Sequence, residues 1–110
     1  MPPDFNDLFE QLKQGVIDLA ETTLKKYVNK AKSDGKQMLE DMKDKLQRWT
    51  ELLIDRKLTT EEFEWLINSQ KDLIQMTALK QAGLASIRID QFVASLLNMI
   101  VDTVFSFLKI

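Results

Sequence analysis

The chain contains neither cysteine nor histidine, so thiolate nucleophiles, disulfides, Cys/His zinc sites and imidazole acid–base catalysis lie outside its chemistry. Carboxylates are the reactive groups that remain. Asp102 has the most unusual setting, among Ile100, Val101, Val104 and Phe105, and a carboxyl desolvated there could exchange protons in acid–base work. Its spacing argues otherwise. Gln91, Ser95, Asn98, Asp102, Ser106 and Lys109 recur at steps of three and four, which predicts a solvated or hydrogen-bonded stripe along one side of a helix. Arg88 and Asp90 lie near the start of the same helix and fit structural roles, Asp90 at the helix N-terminal dipole and Arg88 paired with an acid. No catalytic residue, cofactor or metal is expected.

The remaining motifs are also read more simply as structure. Leu58 to Leu66 reads Leu-Thr-Thr-Glu-Glu-Phe-Glu-Trp-Leu, in the manner of a helix bordering a calcium loop. A calcium loop needs oxygen side chains at alternate positions, however, and Asp55-Arg56-Lys57-Leu58 supplies cations there. Lys25, Lys26, Lys30, Lys32 and Lys36 form a basic run that could touch phosphates. Glu21 and Asp34 accompany it, Tyr27 falls on an apolar row, and 15 basic against 17 acidic residues give a net charge of -2. The run therefore predicts a solvated helix face, and nucleic acid is not an expected partner. Trp49 and Trp65, on either side of a turn, are expected to pack in the core. Met38 and Met42, one helical turn apart, are expected to fill core gaps, although such a pair can also line an adaptable groove.

The elements that would position these residues are helices. A chain of 110 residues with 45% hydrophobic and 29% charged residues suits one globular domain. Of its three glycines and two prolines, both prolines lie at the extreme N-terminus (Pro2, Pro3), so little interrupts helix formation. The fold predicted is all-α, an antiparallel helical hairpin or bundle. Its first element is a long amphipathic helix over about residues 6–56, because apolar rows step by eleven through Phe5, Val16, Tyr27, Met38 and Trp49, and through Phe9, Ala20, Ala31, Met42 and Leu53. Such a step is about 3.67 residues per turn. Unbroken, the helix would be a rod about 75 Å long. Ser33-Asp34-Gly35 offers a break at 33–35, which would give a four-helix bundle instead, but the apolar phase continues across it.

Thr59-Thr60-Glu61-Glu62 fits a capping box and predicts a second helix over about 60–82, burying Phe63, Leu66, Ile67, Ile74 and Leu79 and ending near Gly83. A third is predicted over about 85–109. From Phe92 onward this last helix is apolar over most of its circumference, more than a small monomer should cover. Phe92, Leu96, Leu97, Ile100, Val101, Val104, Phe105 and Leu108 are therefore the candidate oligomer interface, with a second copy of the chain as the expected partner. Residues 92–110 are also about long enough to span a bilayer, but Asp102 and Asn98 oppose insertion. The N-terminal Met-Pro-Pro-Asp-Phe has no secretory-signal character, which predicts a cytoplasmic location.

The function expected is a non-enzymatic interaction or structural protein that self-associates through its C-terminal helix. A peripheral membrane or lipid-binding protein is the alternative, and a small ligand carrier or enzyme using buried carboxylates is the third reading.

Overall fold

The computed structural model describes residues 4–110; Pro2 and Pro3, named above, lie outside them. Asp4 starts the first helix by accepting the Asn6 amide at 2.9 Å, a side-chain N-cap. Helix α1 (Phe5–Thr23) buries Leu8, Phe9, Leu12, Val16 and Ala20, a single stripe at helical spacing. It stops at Thr22-Thr23, whose hydroxyls bond back to the carbonyls of Asp18 and Leu19. Two β-branched residues bonding backwards weaken the last turn. Leu24 leaves helical geometry and a 3-10 turn, Lys25–Tyr27, follows.

Helix α2 (Val28–Ile54) then runs without interruption for 27 residues. The long helix over 6–56 is thus corrected to a hairpin, and the break lies at 24–27 instead of 33–35. Accordingly the molecule is 43 Å in its longest dimension, little more than half the rod's length. The apolar rows continue on either side of the connection, where Leu24 is buried in the core. Phe9, Ala20, Ala31, Met42 and Leu53 are all buried although they belong to two helices.

Gly35 shows why these helices fold together. A Cβ at this position would lie 2.5 Å from Val16 Cγ1 on α1, so the α1–α2 crossing is closer than any side chain allows. The neighbouring Asp34 is buried and accepts the amides of Ala78 at 3.0 Å and Leu79 at 2.8 Å. A residue pair that reads as a turn signal is instead the packing centre of α2.

Arg56, just past α2, has φ 59°. Its amide bonds the Leu53 carbonyl at 3.1 Å and the Lys57 amide bonds Leu52 at 2.9 Å, a Schellman stop with arginine where glycine is favoured. Arg56→Gly is expected to stabilise the fold by about 1 kcal/mol, the cost of left-handed backbone for a residue with a Cβ. Urea denaturation would show this as a higher midpoint; an unchanged or lower midpoint would contradict it.

Thr59 caps helix α3 (Thr60–Asn68) with the predicted capping box, its hydroxyl accepting the Glu62 amide at 3.1 Å and the Glu62 carboxylate accepting the Thr59 amide at 3.0 Å. The helix predicted over 60–82 does not continue. Ser69 bonds back to the Leu66 carbonyl at 2.6 Å, a 3-10 turn follows at Lys71–Leu73, Ile74 is extended, and helix α4 (Thr77–Gln81) begins under Asp34. The interruption lets Met76 enter the core completely, and leaves Leu66 and Ile74 only half-buried.

Gly83, with φ 89°, closes α4: its amide bonds Lys80 at 3.1 Å and the Leu84 amide bonds Leu79 at 3.1 Å. Helix α5 (Ser86–Leu108) matches the sequence reading almost to the residue. It packs mainly on α1 and α3, and an all-α bundle results.

Candidate functional site

Six of the eight residues expected at an oligomer interface are core of this single chain. Phe92, Leu96, Leu97, Ile100, Val101 and Val104 are buried, while Phe105 and Leu108 are half-buried. Phe105 sits with its ring centroid 5.8 Å from that of Phe63 on α3. The excess apolar surface inferred for α5 assumed only two or three neighbouring helices in a single chain. Folding 5–54 into a hairpin and bending 60–81 packs α1, α3 and α4 against α5, and its residues Phe92, Leu96, Leu97, Ile100, Val101 and Val104 are covered by its own chain. Among the described residues α5 alone is long and apolar enough to cross a membrane, yet here its apolar face is the bundle's core.

The polar residues fall largely where their spacing places them. Gln91, Asn98, Asp102, Ser106 and Lys109 are exposed and Ser95 is half-buried. Asp90 is exposed, and the Arg88 guanidinium donates to the Thr23 carbonyl at 3.4 Å instead of pairing with an acid. Lys25, Lys26, Lys30 and Lys36 are exposed, and Lys32 forms an ion pair of 3.1 Å with Glu21 across the α1–α2 turn. Met38 and Met42 are in the core.

Trp65 corrects a core expectation. It is 70% exposed, whereas Trp49 is half-buried. Helix α3 buries Phe63 and Ile67, four residues apart, and Trp65 lies two positions from each, about 200° around the helix from both. That angle is legible in the sequence once Phe63 and Ile67 are taken to define the buried stripe.

Leu58, Glu61, Glu62, Trp65 and Leu66 line a shallow hollow of about 450 Å³ along this outer face. They recur at helical spacing, so one rigid helix end and the residue before it present them together. The capping box holds that end, since Glu62 and Thr59 are locked to each other's backbone. An indole and two leucines beside two carboxylates form a surface for contact, with no nucleophile and no acid–base pair.

A second concavity, of about 310 Å³, lies between α2 and the irregular segment 70–77. Sequence reasoning that carried a helix through 60–82 had no place for it. Ser69, which favours helix ends over helix interiors, was the available signal. No known protein family, curated protein or solved structure matches this chain. Its function is therefore read from these two surfaces alone.

Proposed function

We propose that the protein is a non-enzymatic helical interaction module that receives its partner on the Trp65 face of α3. The observation carrying this reading is Trp65 itself, a large indole left 70% exposed on a capped helix beside Leu58 and Leu66. Tryptophan is among the residues most enriched at the energetic centres of protein interfaces, and an apolar patch rimmed by polar groups marks contact surfaces in general.

The rim sets the partner's chemistry. Glu61 and Glu62 border the hollow, so a partner that brings an apolar side chain flanked by lysine or arginine gains at both the centre and the edge. A second copy of the chain, meeting this face about a two-fold axis, would set Glu61 and Glu62 against themselves. The face accordingly favours a basic partner segment over self-association. Self-association through Phe92, Leu96 and their neighbours would require α5 to leave the core.

The test uses Trp49→Phe protein, in which Trp65 is the only indole, titrated with a lysine-flanked amphipathic peptide and with its glutamate-flanked counterpart. The lysine peptide is expected to shift Trp65 emission to shorter wavelength, with an affinity that falls as salt rises; the glutamate peptide is expected to leave it unchanged. Equal response to both peptides, or to neither, would refute the proposed face. Trp65→Ala should alter stability by less than about 0.5 kcal/mol, as exposed substitutions do. A larger loss in urea denaturation would make Trp65 a structural residue. Light scattering adds an independent check, since a 12.8 kDa particle is expected for the free chain.

A further inference from the structure

The cleft between α2 and residues 70–77 joins apolar surface to one charge of each sign. Met38, Met42 and Ile74 give it apolar surface, and Asp41 and Lys45, one turn apart on α2, line it with one carboxylate and one ammonium. Both charged groups are held by neutral amides. The Lys45 ammonium donates to Gln70 Oε1 at 3.0 Å, and Gln70 is itself buried. Asp41 Oδ1 accepts Gln37 Nε2 at 2.9 Å. The ion pairs among the described residues are Lys13 with Glu10 and Lys32 with Glu21, so neither Asp41 nor Lys45 is in direct contact with a charge of opposite sign. Each retains bonding capacity, because an ammonium has three donors and a carboxylate about four acceptor positions.

A ligand bearing only negative charge would gain at Lys45 and lose at Asp41, and a cation would do the reverse. A molecule carrying both signs a few ångströms apart gains at both. Size limits it further, since about 310 Å³ is at the lower end of the roughly 300–1,000 Å³ usual for small-molecule sites. The methionine floor can adapt to different apolar shapes. We propose that this cleft binds a small zwitterion with an apolar body, of the class of the aliphatic, thioether and aromatic α-amino acids. The proposal is independent of the Trp65 face and stands or falls separately.

The experiment is a titration of the full chain, followed by amide NMR, with L-leucine, L-methionine and L-phenylalanine, and in parallel with the N-acetyl and the carboxamide derivative of each. At least one free amino acid is expected to shift the amide signals of residues 37–45 and 70–77, and removing either ligand charge is expected to weaken binding tenfold or more. Lys45→Met and Asp41→Asn should each cause a comparable loss while leaving the circular dichroism spectrum unchanged. The proposal is overturned if no free amino acid perturbs these signals at millimolar concentration. It is also overturned if the derivatives bind as tightly as the parents, a result obtained on wild-type protein whether or not the variants fold.

Discussion

Gly35→Leu is expected to destabilise the fold by about 3 kcal/mol, the upper end of what overpacking a core usually costs. On a solvent-facing helix the same change would be favourable, since leucine exceeds glycine in helix propensity by nearly 1 kcal/mol. The sign is reversed here because the new Cβ would lie 2.5 Å from Val16 Cγ1. Val16 is fully buried and β-branched, so it has neither space nor an easy rotamer through which to withdraw. The smaller Gly35→Ala makes the cause testable. Alone it clashes; combined with Val16→Ala it does not, and the double variant should be more stable than the sum of the single effects predicts, by about 1 kcal/mol or more. Urea denaturation followed by circular dichroism measures the four variants against wild type. Additive effects, or a Gly35→Leu protein more stable than wild type, would show that the close α1–α2 crossing is wrong.

Asp34→Ala is expected to cost a similar amount, about 3 kcal/mol, by a different route. Its carboxylate accepts the amides of Ala78 and Leu79 at the start of α4, a helix whose own N-cap residue, Met76, provides no side-chain acceptor. Removing it leaves two donors without their partner in a largely buried place, and each such loss costs about 1–3 kcal/mol. Against a total stability of about 5–15 kcal/mol for a small domain, the loss is substantial. Asp34→Asn retains one acceptor oxygen and should fall between wild type and alanine. Hydrogen exchange localises the effect, with the Ala78 and Leu79 amides expected to lose protection in Asp34→Ala. Unchanged protection at both would remove Asp34 from its role as the cap of α4.

Both predictions concern adjacent residues whose local reading points the wrong way. Ser33-Asp34-Gly35 is a plausible helix stop on propensity alone, yet all three lie within α2. Glycine is needed there for the approach of Val16, and aspartate for a helix more than forty residues further along. Neither partner can be found by looking at neighbouring residues. The true turn at 24–27 was hidden because the eleven-residue rows resume after it in the same sequence phase, with Ala20 buried on α1 and Ala31 on α2. Periodicity reports which side of each segment is buried, and it is silent on whether two segments in phase are collinear or folded together.

The candidate site divides in the same way. Trp65 was available to the sequence, through its angle from Phe63 and Ile67, but an expectation that tryptophans pack inside concealed it. The Asp41–Lys45 cleft was not available, because its second wall exists only where the chain leaves helical geometry between Ser69 and Met76. That departure has a local contribution from Ser69 and a larger tertiary one from the burial of Met76 and the capping of α4 by Asp34.

By itself the sequence determined the all-α class, the capping box at Thr59, the glycine stop at Gly83, the bounds of α5 and its polar stripe. Each depends on interactions within a few residues or on a repeat of about 3.6, and such information is contained in a short window. Tertiary structure alone decided that residues 5–54 fold back as a hairpin, that the second predicted helix bends open, and that one apolar face of α5 is covered by its own chain. These outcomes rest on contacts between residues far apart in sequence, Val16 with Gly35, Asp34 with Leu79 and Phe63 with Phe105, whose free energy outweighs local propensities of about 1 kcal/mol or less per residue.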